Sequence, residues 1–184
     1  MSKRIFSFAD PPPEVSYIDP SFFINFLVSS AKFHQQCREY SAKLKAQQTV
    51  LLLSNLGLDE IWFALLKILT IEELHQMGQK NPESKWFHYL KENPDVTKKF
   101  TSKLEEYTLI ILQIANLALV EISKDQTLHG LTLMKEYGLL PRDAIHGAAA
   151  LLSGAGAIIT TDHDFALVTN LRVHTCNPKS LTML

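Results

Sequence analysis

Four acidic residues in this sequence lie where short elements begin or end. Asp19 closes the run "VSYID", Asp162 follows "AIITT", and Glu60 and Asp143 fall near the starts of helical patterns. Two carboxylates about 4 Å apart repel by about 4 kcal/mol near a protein surface, so such a group needs protons or a cation. Oxygen ligands without a Cys–His set favour Mg²⁺ or Mn²⁺ over zinc. This chemistry suits attack of water on a phosphodiester.

Each of these carboxylates also has an ordinary structural explanation. Asp143, in the first turn of a helix, could serve only as a cap or a dipole partner. Asp19 precedes a proline and could begin a turn, and Asp162 could cap the next helical turn. Glu60 could be an exposed helix residue. The conjunction of four carboxylates at one edge of one sheet favours the chemical interpretation.

Other polar residues lie next to these acids. His146 and His163 are weaker ligand candidates than the carboxylates, and His146, one helical turn from Asp143, is expected to pack or to donate a hydrogen bond. Arg142 is a candidate contact for a nucleic-acid phosphate, although a lone surface arginine more often only faces solvent. The predicted site is therefore acidic at its centre, with little basic character around it.

The elements that would position the acids alternate between strand and helix. Short apolar runs predict strands, and longer runs with helical spacing and no proline predict helices. The predicted strands are 15–19, 49–54, 117–123, 157–161 and 171–176, and the predicted helices are 21–46, 58–77, 127–139 and 141–154. Gly57 is expected to separate the second strand from its helix. The order predicts an α/β three-layer sandwich with a central, mainly parallel sheet of about five strands.

Parallel sheets bind ligands beyond the carboxyl ends of their strands. Asp19 and Asp162 meet this condition directly, and Glu60 follows at the first turn of the helix after the second strand. Asp143 meets it only if the chain from the third strand returns to the same edge before its helix begins. The sequence thus predicts one site at one edge of the sheet.

The chain divides into a lead-in, one domain and an insertion. Residues 1–14, with prolines at 11–13, are expected to form a stiff N-terminal lead-in, and residues 15–184 to form a single domain. Within that domain, residues 78–116 are too long for a plain connection and too apolar for a disordered linker. They predict a helical insertion that folds as a hairpin.

Composition limits the class of protein. Apolar residues make up 46% and charged residues 20% of the 184 residues, which is typical of a globular domain. The net charge of −1 gives no broad basic field for nucleic acid. The two cysteines are far apart in sequence, which argues against a disulfide framework and a zinc site. With no signal-peptide pattern and no apolar run long enough to cross a membrane, a cytoplasmic location is expected.

Four segments resemble the acidic motifs of PIN domains, in the usual order. They are "VSYIDPSFFINFL", "LGLDEIWFALL", "LLPRDAIHGAAAL" and "AIITTDHDF". The most specific are "RDAIHGAAAL" and "ITTDHDF", which resemble the toxin-type members of the family. The resemblance covers roughly residues 15–177 apart from the insertion. PIN domains are metal-dependent ribonucleases, and many are VapC toxins that are dimeric and blocked by a small antitoxin protein.

The resemblance assigns roles residue by residue. It implies catalytic acids at Asp19, Glu60, Asp143 and Asp162. It implies Mg²⁺ or Mn²⁺ ligands at Asp19, Asp143 and Asp162, with Asp164 as an auxiliary acid. Two hydroxyl residues, Ser21 and Thr161, match the supporting positions beside the first and fourth acids.

Two features depart from the family pattern. Pro20 stands where threonine is commoner, and the chain is longer than typical toxins because of residues 78–116. The resemblance implies an RNA substrate, a homodimer and possession of an antitoxin partner. The apolar, aromatic helices at 22–33 and 61–74 independently favour a homodimer, because exposed apolar patches mark interfaces.

Two further functions fit the same residues. A PIN-like scaffold that is not a toxin could process or bind RNA, or bind a partner protein, without the toxin role. An α/β domain that transfers phosphoryl groups on an aspartate nucleophile would also have an acid at the end of its first strand. Phosphatases of that class usually carry a second aspartate two residues later, and here that position is Ser21.

Overall fold

The computed structural model describes residues 3–182, and the first two and last two residues of the predicted lead-in and domain lie outside them. Within this span one sheet of six strands is parallel throughout. The strands are β1 (Ile5–Ser7), β2 (Val15–Ile18), β3 (Val50–Ser54), β4 (Leu117–Val120), β5 (Ala157–Ile159) and β6 (Arg172–Thr175). Their order across the sheet is β1-β6-β5-β2-β3-β4.

Helices cover both faces of this sheet. They are α1 (Pro20–Leu27), α2 (His34–Ala46), α3 (Asn55–Gln76), α4 (Pro82–Glu92), α5 (Pro94–Leu112), α6 (Lys124–Tyr137), α7 (Pro141–Leu152) and α8 (Pro178–Leu181), and a 3₁₀ turn spans Asp164–Leu167. This arrangement confirms the predicted α/β three-layer fold. The sheet has one strand more than the approximate number expected.

Strand alternation sends neighbouring residues of β2 and β5 to opposite cores. Ile18 and Ile159 face an aromatic core formed with α1, α2 and α3. Tyr17 and Ile158 face a second core, formed with α7 and rich in alanine. Alanines let α7 approach the sheet closely, because they present little side-chain volume. The start of α7 is thereby held near the carboxyl ends of the central strands.

The N-terminal lead-in contributes to the sheet. Ile5–Ser7 forms β1 and pairs with β6, so β6, for which the sequence predicts a place at the edge of the sheet, lies inside it. Ile5 is 2% exposed, which shows that the segment buries an apolar side chain as a strand does. Three residues are too few to show the apolar pattern of a strand, and the pairing partner of β1 lies more than 160 residues away in sequence, so the sequence did not predict this strand.

Two predicted helix boundaries also differ. The run 21–46 forms two helices, α1 and α2, and the turn between them is held by Phe33, whose backbone N–H donates to the side chain of Asn25 at 3.0 Å. Helix α3 begins at Asn55 and not after Gly57. Gly57 lies inside its first turn, where an added Cβ would come 2.8 Å from Leu53 Cδ1.

The segment 78–116 contains α4 and α5, which pack on each other and on α3. Trp62 of α3 donates to Thr108 of α5 through its indole N–H at 2.8 Å. Lys99 of α5 pairs with Glu73 of α3 at 2.7 Å. The two helices therefore pack along α3, and Ile111 of α5 is buried in the aromatic core. No helix among residues 3–182 is long and apolar enough to cross a membrane.

Candidate active site

Asp19 lies directly after β2 and caps the N-terminus of α1. Its Oδ2 accepts hydrogen bonds from the hydroxyl and the backbone N–H of Ser21, the latter at 3.1 Å, and from Thr160 Oγ1 at 3.0 Å. In residues 3–182 no hydrogen bond reaches the other carboxylate oxygen, Oδ1. Burial raises the pKa of Asp19, and the hydrogen bonds from Ser21 and Thr160 oppose this rise. The capping interpretation and the site interpretation therefore both apply to Asp19.

The hydroxyl that supports Asp19 from β5 belongs to Thr160. Thr161, the residue expected in a supporting role, donates its backbone N–H to Ser21 Oγ at 3.0 Å, and its hydroxyl accepts from Asn25 Nδ2 at 3.1 Å. Tyr17 pairs with Ile158 in the sheet register, so the next residues on that face are Asp19 and Thr160. This alternation is the signal that identifies Thr160 once the pairing is known.

Glu60 lies in the second turn of α3, one turn later than expected, because the helix begins at Asn55. Its side chain is 16% exposed. Its Oε1 lies 3.0 Å from His146 Nε2 and 3.8 Å from Arg142 Nε. Glu60 is therefore held by two residues of α7 rather than left free on a helix surface.

Asp143 lies in the first turn of α7, whose N-cap is Leu140 with no side-chain capping bond. Its pKa rises from 3.8 to about 6, first because of burial and then because of the negative charges of Asp19, Asp162 and Asp164. The chain from β4 thus returns to the edge of the sheet that carries Asp19 before α7 begins. Asp19, Asp143, Asp162 and Asp164 are called the acidic edge below.

Asp162 and Asp164 follow β5 and lead into the 3₁₀ turn. Asp162 Oδ1 accepts the backbone N–H of Asp164 at 3.1 Å, and the backbone N–H of Asp162 donates to Thr160 Oγ1 at 2.9 Å. His163 lies between them, with Nδ1 3.4 Å from Asp162 and Nε2 3.2 Å from Asp164. The two acids are partly exposed, which leaves them open to solvent.

The carboxylates of the acidic edge are of the kind that bind a hard divalent cation. Carboxylate oxygens are the ligands that Mg²⁺ and Mn²⁺ prefer, and a cation would offset the repulsion that raises the pKa of Asp143. In residues 3–182 the group whose potential ligand atoms all lie within 4.8 Å of one another is Asp162, His163 and Asp164, and the predicted ligands Asp19 and Asp143 are not part of it. His163, a weak ligand candidate from the sequence, therefore lies within reach of a cation held by Asp162 and Asp164.

Four residues at the site were not identified as site residues from the sequence: Tyr17, Asn25, Ser54 and Thr160. Asn25 is bonded through Nδ2 to the backbone oxygen of Ser21 at 2.9 Å as well as to Thr161. Tyr17 and Ser54 lie under the acids, in contact with each other at 2.6 Å. None of these residue types is unusual in its sequence context, so only the packing of the elements reveals them.

The fold and the site define a class: a parallel α/β protein with acids at the carboxyl ends of its central strands. The model of the PIN domain family matches residues 16–171, and the chain belongs to this family. The predicted family is therefore confirmed. Membership disfavours the aspartate-nucleophile phosphotransfer alternative, because that chemistry belongs to other α/β folds.

Two solved structures are similar in fold to this chain. One is described as VapBC2 from Rickettsia felis bound to a DNA fragment from their promoter, with 11% identity, a TM-score of 0.52, and coverage of 88% of this chain and 98% of that chain. The other is Mycobacterium tuberculosis VapC20, described as a toxin that cleaves the sarcin–ricin loop, with 15% identity, a TM-score of 0.53, and coverage of 86% and 98%. A comparison with curated proteins finds no match.

Proposed function

We propose that this protein is a divalent-metal-dependent endoribonuclease that hydrolyses phosphodiester bonds in RNA. The observation that carries the proposal is the acidic edge, where burial and three neighbouring carboxylates raise the pKa of Asp143 to about 6. A protein surface seldom assembles such repulsion without a cation or a proton to offset it. Membership of the PIN family supports a nuclease function for these acids.

In this proposal Asp19, Asp143, Asp162 and Asp164 would hold Mg²⁺ or Mn²⁺. When bound, the cation would offset the charge of a phosphate and make a water molecule more acidic. The residues of the protein position these groups. Ser21 and Thr160 fix the orientation of Asp19 through Oδ2, so that Oδ1 is directed away from these bonds.

Glu60 is the proposed proton acceptor for the attacking water. Its partial exposure of 16% gives solvent access, and its bond to His146 limits the directions in which the carboxylate can point. Arg142, 54% exposed, is the proposed contact for a substrate phosphate. The net charge of −1 means that RNA binding depends on the cation and on local groups rather than on a broad field.

Cleavage of a labelled single-stranded RNA tests the proposal. We expect cleavage with Mg²⁺ or Mn²⁺, none in EDTA, and a loss of at least about 100-fold in Asp19→Asn and Asp162→Asn, by analogy with the loss of a metal ligand. Asp125→Asn is the matched control, since Asp125 is an exposed acid in the first turn of α6. Variants that still cut, or a parent that binds RNA without cutting, would contradict the nuclease proposal and favour an RNA-binding scaffold.

We also propose that the protein is the toxin of a toxin–antitoxin pair. Support comes from the printed descriptions of the two similar structures, a VapBC complex and a VapC toxin. Induced expression in a bacterial host should arrest growth, and co-expression of a small protein from a neighbouring gene should restore it. Growth arrest by the parent but not by Asp19→Asn would separate toxicity from the burden of expression.

A homodimer is part of the same proposal. The aromatic residues of α1 that first motivated it are buried in the core, so they no longer support it. Helix α3 still does, because Phe63 is 42% exposed beside Phe87 of α4, which is 47% exposed, and Trp62 is 42% exposed on the side of α5. Such exposure of large aromatic side chains is typical of an interface.

A further inference from the structure

A chain of buried polar side chains lies directly beneath the acidic edge. His146 is 0% exposed, and both of its ring nitrogens are bonded, Nε2 to Glu60 Oε1 at 3.0 Å and Nδ1 to Tyr17 Oη at 2.7 Å. Tyr17 Oη lies 2.6 Å from Ser54 Oγ, and Ser54 Oγ accepts the backbone N–H of Gly57 at 3.0 Å. Ser54, Tyr17, His146 and Glu60 are called the polar chain below.

The hydrogen bonds of the polar chain are consistent with a single direction of donation. The Glu60 carboxylate can only accept, so the hydrogen of a neutral His146 lies on Nε2. Nδ1 then accepts from the Tyr17 hydroxyl, and Tyr17 accepts from the Ser54 hydroxyl. Ser54 accepts in turn from Gly57, which completes the set without a buried polar atom left over.

Three of the elements that carry an acid each supply a member of the polar chain. Tyr17 lies two residues before Asp19 on β2, on the same face of the sheet. His146 lies one helical turn after Asp143 on α7. Ser54 caps α3, the helix that carries Glu60. The polar chain therefore connects three elements that are distant in sequence, just below the atoms that form the site.

A second buried Tyr–His pair offers a comparison within the same molecule. Tyr40 Oη lies 2.9 Å from His174 Nδ1 on the other side of the sheet, where His174 stacks on Phe6. Among the described residues no carboxylate hydrogen-bonds to His174. His174 is thus buried without a carboxylate partner, so a bond to a carboxylate is not required to bury a histidine in this fold.

We propose that His146 is a positioning residue that fixes the Glu60 carboxylate for catalysis, with Tyr17 and Ser54 fixing the orientation of the imidazole ring. The inference rests on the proposed nuclease function. It assigns to His146 no contact with RNA or with a cation. Its loss should therefore lower kcat and leave KM and cation affinity nearly unchanged.

The kinetic test compares two replacements of His146. His146→Leu removes the donor to Glu60 and should lower kcat by about 10- to 100-fold, with KM within about 2-fold, as for other groups that orient a catalytic side chain. His146→Gln keeps an N–H that can reach Glu60 and should recover most of that loss. The controls are His174→Gln and Tyr40→Phe, which disturb the second pair and should retain kcat within about 2-fold of the parent.

A readout that does not need activity is the long-range ¹H–¹⁵N spectrum of the histidine rings. The spectrum should show His146 protonated at Nε2, and Glu60→Gln should move that Nε2 signal, whereas Tyr17→Phe should move the Nδ1 signal. Cation binding, followed by the rise in Tm with Mg²⁺, should be similar in the parent and in His146→Gln.

The outcomes separate the two proposals. If the parent does not cleave RNA, the proposed function fails, and the bond from His146 to Glu60 is still decided by the spectrum. Equal loss of kcat in His146→Leu and His146→Gln, or an Nε2 signal unmoved by Glu60→Gln, would overturn the positioning role. If His146→Leu does not fold, Tyr17→Phe replaces it, with a smaller expected loss of kcat.

Discussion

Replacing Asp143 with asparagine should stabilise the protein in the absence of a cation. The rise of the pKa of Asp143 from 3.8 to about 6 means that folding disfavours its charged form. A shift of this size corresponds to about 3 kcal/mol. Because Asp143 is partly exposed, solvent screening reduces the expected gain to roughly 1–2 kcal/mol. Asparagine keeps the shape of the side chain and removes the charge.

The dependence of this gain on pH follows from the sign of the shift. The folded pKa lies above the unfolded pKa, so the penalty is absent below about pH 4, grows as the pH rises through about 6, and is complete above it. Asp143→Asn should therefore be more stable than the parent near pH 7.5 and nearly equal to it near pH 4.

Urea unfolding in EDTA at the two pH values measures the difference. Asp125→Asn, in the first turn of α6, should change the free energy of unfolding by less than about 0.5 kcal/mol at either pH. Added Mg²⁺ should raise the Tm of the parent and raise that of Asp143→Asn less, because the variant lacks one anionic ligand. A variant less stable than the parent near pH 7.5 would refute the account of repulsion at the acidic edge.

Three further predictions concern other parts of the molecule. Burial lowers the pKa of His174 from 6.5 to about 4. Folding therefore disfavours protonation of His174, and the free energy of unfolding should fall by up to about 3 kcal/mol as the pH falls from above 6.5 towards 4. His174→Gln should flatten this dependence on pH in urea unfolding. Thr160→Val should destabilise the fold by about 1–3 kcal/mol and weaken the Mg²⁺-induced rise in Tm, and Thr161→Val should do so less, because of the two threonines it is Thr160 that donates to Asp19. Trp62→Glu should convert a dimer to a monomer in light scattering, whereas replacement of the exposed Leu131 of α6 by glutamate should not. A parent that is monomeric at micromolar concentration would contradict the proposed dimer.

The sequence alone determined the class of fold and the acids of the candidate site. Alternating apolar runs and helical spacing reflect local burial, and they indicated a parallel α/β sheet before any contact was known. Asp19 and Asp162 were identifiable because a carboxylate after a buried strand must lie at the edge of the sheet. Asp143 was identifiable from its motif, although its place at the edge depended on the path of the chain after β4.

Only the tertiary structure decided how these acids are supported. The choice of Thr160 over Thr161 follows from the register of β5 against β2, and the bond from His146 to Glu60 follows from the orientation of α7 against α3. The pairing of β1 with β6 was likewise decided by the tertiary structure. Local sequence patterns specify which residues are buried and in what periodicity. They do not specify which distant element each residue meets, because that choice depends on the packing of the whole chain.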